Sequence, residues 1–198
     1  MVAAQVFPIH LPSEAEEQRV LLSNVAWATY VVLRDTEPSG GVRMTYLGGQ
    51  LEIMSPSRGH EVSKTQIARL LELFCLERDI PLYGYGSTTF RKEEKEVGLE
   101  PAECYCRGAD RLVPDIALEV VVSAAALDKL LVYRQLGVRE VWIFQAGKFR
   151  LLELDGEQYS AIDASQVLPE VDLDRLAWYV QQEDQHLALL AYRAELRR

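Results

Sequence analysis

Residues 113–144 constrain the fold of this chain more than any other stretch. The first piece, Val-Pro-Asp-Ile-Ala-Leu-Glu-Val-Val-Val-Ser, is β-branched and almost wholly apolar, the composition of a strand buried on both faces. The second piece, residues 124–137, has helical spacing and closes on Gly137, a residue suited to the left-handed position beyond a helix end. The third, Val-Arg-Glu-Val-Trp-Ile-Phe, is a further apolar strand. Strand, helix, strand over about thirty residues predicts a βαβ-like unit with a parallel strand pair. Two acids, Asp115 and Glu119, lie inside the first strand. Side chains alternate along a strand, so Asp115, Ala117, Glu119 and Val121 share one face. Two carboxylates on one face of a buried strand are costly unless a cation meets them.

The helix offers such a cation. With Leu127 at zero on a helical wheel, Lys129 falls at about 200°, between Leu136 at about 180° and Tyr133 at about 240°. Asp128, Arg134 and Gln135 lie on the other side. Lys129 therefore stands on an apolar face, at the start of the helix that follows the acidic strand. A hard cation held by carboxylates with a lysine beside it suits phosphodiester hydrolysis. A buried salt bridge from Lys129 to one acid fits the same residues, and the pattern alone leaves both readings open.

The rest of the chain predicts one α/β domain. Residues 1–22 read as an N-terminal arm and 23–198 as the domain, a length sufficient for a full core. Ser23 or Asn24 can cap a helix over 25–32, which 37–41 (Glu-Pro-Ser-Gly-Gly) breaks. Strands over 42–47 and 50–54 flank Gly48-Gly49 as a hairpin. A helix follows over 58–78, with Ile67, Leu70, Leu71 and Phe74 on one stripe. Short strands are expected near 81–85 and 87–91, a solvated loop or hairpin tip over 91–97, and one strand over 99–106. A second hairpin spans 148–154 and 158–162 around Asp155-Gly156, and the tail from Asp172 reads as helix, with Leu173, Leu176 and Val180 on its apolar side. Helices alternating with strands make this an α/β pattern.

Composition narrows the function classes. The net charge of −9 argues against a large surface that coats nucleic acid, though not against a local basic groove. No apolar run approaches the roughly 20 residues of a membrane span, and the first residues lack a basic segment followed by an apolar core, so a cytoplasmic protein is expected. Cys75, Cys104 and Cys106 read as reduced structural thiols, since Cys-x-Cys without a second ligand pair is a weak zinc signal. Trp27, Trp142, Trp178 and Tyr46 are too scattered for a base-stacking platform. Ser123 lacks a nucleophile elbow and reads as a helix N-cap.

Several pieces resemble one family in order and spacing. They are Leu51-Glu52-Ile53-Met54-Ser55-Pro56-Ser57 with His60-Glu61; Gly86-Ser87-Thr88-Thr89-Phe90-Arg91; Gly98-Leu99-Glu100-Pro101; Pro114-Asp115 with Glu119-Val120; and Gly137-Val138 with Glu140-Val141-Trp142. Across about 24–180 the chain resembles the Uma-two family of restriction-endonuclease-like proteins in the PD-(D/E)XK nuclease superfamily. The resemblance implies a mixed β-sheet flanked by helices, a divalent metal (Mg²⁺ or Mn²⁺), and cleavage of nucleic acid, most simply DNA. Carried onto this sequence, it implies Asp115, Glu119, Glu52 and Glu100 as metal ligands, Lys129 as the charge-stabilising lysine, and His60 at a helix start as a group that positions water or phosphate. Two departures stand out. The family usually has an aspartate after Glu-Pro, where this chain has Ala102, and its closest branch often has an acid where this chain has Val121. Neither side chain can ligate a cation. The departures motivate a second expectation, a nuclease-fold protein that binds nucleic acid or a partner without cutting it. A homodimer is expected in either case, because a duplex is most simply handled by two sites related by a twofold axis.

Overall fold

The computed structural model describes residues 17–36, 41–123, 125 and 127–198. In chain order its elements are β1 (Gln18–Ser23), α1 (Trp27–Thr36), β2 (Arg43–Leu47), β3 (Gln50–Ser55), α2 (Arg58–Glu77), β4 (Leu82–Gly84), β5 (Phe90–Lys92), β6 (Val97–Leu99), β7 (Glu103–Arg107), β8 (Ile116–Val121), α3 (Lys129–Leu136), β9 (Glu140–Gln145), β10 (Lys148–Asp155), β11 (Gln158–Ile162), α4 (Leu173–Val180) and α5 (Gln185–Leu196). The fold is α/β. The strands divide between two sheets, ordered β1-β3-β2-β6-β5 and β11-β10-β9-β8-β7-β4. Within them only β8 and β9 run parallel, joined through α3 as the apolar strand–helix–strand run requires.

Alternation along β8 sends its residues into two cores. Ile116, Leu118 and Val120 meet Ile67, Leu70, Leu71 and Phe74 of α2, with Trp142 and with Leu173 and Leu176 of α4. Ala117, on the other face, packs with Val132 and Tyr133 of α3 and with Val97 and Leu99 of β6. Helix α3 thus fills the space between the sheets. Each fully buried leucine or isoleucine here contributes about 1.5–3 kcal/mol. A third cluster joins α1 to the first sheet, with Tyr30 stacked on Tyr46 at 5.0 Å. The tail stripe of Leu173, Leu176 and Val180 is spent on the second sheet.

Three expectations differ from the structure. The strand expected over 99–106 is two strands in different sheets, β6 paired with β2 and β7 with β8. Pro101 has no N–H for a ladder, and the Glu100 carboxylate takes the Met44 N–H instead. The hairpin tip read over 91–97 is present as a tight β5–β6 connection through a 3₁₀ turn, with Glu96 left-handed. The helix after the acidic strand starts only at Lys129, because Asp128 rather than Ser123 is its cap and accepts from the Leu130 N–H. The tail is two helices, since Asp184 caps a new start and accepts from the Leu187 N–H. Of the expected arm, residues 18–22 pair with β3, and 1–16 lie outside the described residues. So does most of the expected helix breaker, 37–40.

Candidate active site

Glu119 projects from the end of β8 toward α3, two residues beyond Ala117 on the same face. The start of α3 then brings two donors to it. Lys129, the first residue of the helix, holds Glu119 Oε2 through Nζ at 2.9 Å. Tyr133, one turn on, donates its hydroxyl to Oε1 at 2.5 Å. Both carboxylate oxygens are therefore engaged, and all three side chains are largely buried. Burial first, and then the adjacent carboxylate, push the Tyr133 hydroxyl well above its ordinary pKa, so it stays a donor.

These groups line a cavity of about 200 Å³. Val141 and Ile143 of β9 give it an apolar wall, and Ile143 is the register partner of Glu119. Arg19, Ser123 and Arg150 add polar groups. Val121 faces the same cavity, so the isopropyl group stands where an acid would have added oxygen.

Arg19 comes from β1 and was read in the sequence only as part of the arm. Its guanidinium reaches three partners: Glu52 Oε1 at 2.8 Å, Glu17 Oε2 at 2.9 Å and Ser123 Oγ at 3.2 Å. Ser123 donates in turn to Glu17 at 2.5 Å. The other Glu17 oxygen meets His60 Nδ1 at 2.7 Å. On the far side of the ring, Arg43 Nη1 lies 2.6 Å from His60 Nε2. A guanidinium only donates, so Nε2 accepts and the ring proton sits on Nδ1, facing Glu17. Burial, then Arg43, hold the His60 pKa below its ordinary value against the opposing pull of Glu17. Burial pushes the Glu17 carboxyl up, but hydrogen bonds from Ser123, His60 and Arg19 outweigh it and the pKa falls.

The structure brings only some of the expected site residues together. Glu119 and Lys129 form one pair, and Glu52 reaches their cavity through Arg19. His60 is fully buried behind Glu17 and is not among the residues that line the cavity. Asp115 begins the same run as Glu119 but four residues earlier, about 13 Å along an extended chain. There it accepts from the Arg107 N–H at 2.9 Å and from the Arg111 guanidinium. Glu100 belongs to the first sheet, held by the Met44 N–H (2.9 Å), the Thr89 hydroxyl (2.7 Å) and Arg34 Nε (2.9 Å). Ala102 is fully buried beside β8, its N–H donating to Leu118 O at 3.0 Å.

This donor set does not fit a resident divalent cation. Hard cations take several oxygen ligands, yet each of the four expected carboxylates already has a cationic partner of its own. Among the described residues no three His, Cys, Asp or Glu side chains cluster as a metal site. Ala102 and Val121 supply no further oxygen.

The comparisons agree with this architecture. The profile of the Uma2 family, described as putative restriction endonuclease, matches residues 27–189. No curated protein matches the chain. Among the described residues no helix is long and apolar enough to cross a membrane.

Proposed function

Because this chain belongs to the Uma2 family, we propose that it binds the phosphodiester backbone of DNA in the Glu119–Lys129 cavity, and that it does so without a resident metal. The observation that carries the reading is the pairing of every expected metal carboxylate with an internal cation, beside a cavity whose rim offers Lys129 and the exposed Arg150. Guanidinium and ammonium groups recognise phosphate oxygens through charge-assisted hydrogen bonds. With a net charge of −9 the rest of the surface opposes DNA, so binding rests on these few cations. The slope of log K against log salt should be no steeper than about −3. Arg150→Ala and Lys129→Met should each weaken binding of a labelled duplex and flatten that slope. Unchanged affinity in both variants would move the DNA surface elsewhere.

One observation favours the cleavage reading that the family resemblance implies: an acid at a strand end and a lysine from the next helix share an open cavity. Under that reading, as the resemblance implies, Glu119 and Asp115 aided by Glu52 or Glu100 would hold Mg²⁺ or Mn²⁺ only after their present ion pairs opened and the carboxylates moved together, and Lys129 would stabilise charge on the phosphate. It predicts metal-dependent cutting of plasmid or single-stranded DNA that Glu119→Ala abolishes. Either reading carries the homodimer with it. The tail stripe is occupied, so a second copy would use exposed groups such as Leu76, Trp178, Leu187 and Leu190.

A further inference from the structure

We propose that Arg19 is a built-in counter-cation, occupying a three-oxygen site that would otherwise take a divalent metal. The inference concerns the same region as the DNA reading but does not depend on it. Arg19 lies on β1, before residue 27, where the family match begins. It is thus supplied by a part of the chain that the family match does not include, and it closes on a glutamate, Glu52, that the match does include.

Three oxygens from three parts of the fold surround its guanidinium. Glu52 Oε1 comes from β3, Glu17 Oε2 from the residue before β1, and Ser123 Oγ from the turn after β8. Ser123 Oγ and Glu17 Oε2 lie 2.5 Å apart, and Glu52 Oε1 meets the same planar group through Nη1. Two carboxylates and a hydroxyl are hard ligands of the kind that Mg²⁺ and Mn²⁺ accept. Arg19 fills that position with a single charge and a fixed fork. Its side chain is only 15% exposed, so water screens it poorly.

The fork is also locked. Glu17, which orients it, is held through its other oxygen by His60, and His60 by Arg43. A lysine could not replace it, because one ammonium on a flexible stem does not present three N–H groups in a plane to three separate oxygens. A metal entering the native site would have to displace this guanidinium and lie near Lys129 as well.

The test is Mn²⁺ binding to the full chain, read by the loss of the free-ion electron paramagnetic resonance signal, with no nucleic acid present. Wild-type protein should bind no Mn²⁺ below millimolar concentration. Arg19→Ala should gain one site at least tenfold tighter, and Arg19→Ala/Glu52→Gln should lose it again. Should Arg19→Ala fold poorly, melting supplies the same answer: Mn²⁺ should raise its melting temperature and leave that of the double variant unmoved. Micromolar Mn²⁺ binding by wild type that Glu52→Gln removes would overturn the inference. So would an Arg19→Ala protein that neither binds Mn²⁺ nor is stabilised by it. An Arg19→Ala protein that gains no Mn²⁺ site leaves the DNA reading standing, and failure to bind DNA leaves this inference standing; only Mn²⁺ binding by wild type would count against both.

Discussion

Lys129→Met is the sharpest test of how this site is held. Methionine keeps the apolar stem that packs along α3 and removes the ammonium. In the folded protein Lys129 and Glu119 are 13% and 7% exposed and 2.9 Å apart. Breaking a buried pair by removing one partner costs about 3–5 kcal/mol, since the remaining charge is left uncompensated. Tyr133 still donates to Glu119, and the cavity admits water, so the lower end applies, about 3 kcal/mol. For a domain of this size each kcal/mol is worth about 2–4 °C, so the melting temperature should fall by roughly 6–12 °C. The double variant Lys129→Met/Glu119→Gln removes the stranded charge and keeps an acceptor for Tyr133. It should recover more than half of that loss. Differential scanning calorimetry of wild type, both single variants and the double variant closes the cycle. A fall below about 2 °C in Lys129→Met, or no recovery in the double variant, would refute the reasoning.

Other consequences follow from the buried polar groups. His60 is held neutral in the fold, with its pKa below the ordinary value of 6.5. Below about pH 6.5 the unfolded chain therefore binds more protons than the folded one, and stability falls as pH drops through that range. His60→Gln should flatten this slope in urea midpoints measured from pH 7.5 to 5, and an unchanged slope would count against the assignment. Glu140 is fully buried and accepts from Trp142 Nε1, the Ser165 hydroxyl and the Gln166 and Val167 N–H groups. Glu140→Ala strands these donors at about 1–3 kcal/mol each, so soluble folded protein should be nearly lost; a melting temperature close to wild type would contradict this. Light scattering at tens of micromolar should give a dimer mass, and a single monomeric mass would remove the homodimer.

What the sequence made legible was the local unit. The β8–α3–β9 run, the helix over 58–78 and both hairpins followed from periodicity and turn residues alone. The meeting of Lys129 with Glu119 was equally visible, because a short connection and one helical turn leave few ways to arrange them. The network around Arg19 was not. Its members are separated by up to 106 residues, as in the Ser123–Glu17 contact, and no local pattern announces a hydrogen-bond network that joins two sheets. The only signal was Val20-Leu21-Leu22 after Arg19, a short strand-like run that could have been set apart from the arm. Asp115 shows the opposite failure. Alternation placed it on the Glu119 face, but could not show that Arg111 would hold it just before the strand starts. Glu140 was quoted within a motif, while its role as a cap for the 165–167 turn depends on a contact 25 residues on.

The central claim is that the cavity holds a phosphodiester without a metal. The most direct measurement is fluorescence anisotropy of an end-labelled DNA duplex titrated with wild-type protein in EDTA. The same samples then receive Mg²⁺ or Mn²⁺ and are run on a denaturing gel. The account predicts salt-sensitive binding of equal affinity with and without metal, and DNA that remains intact. Binding that appears only with metal, or cleavage that Glu119→Ala abolishes, would contradict it.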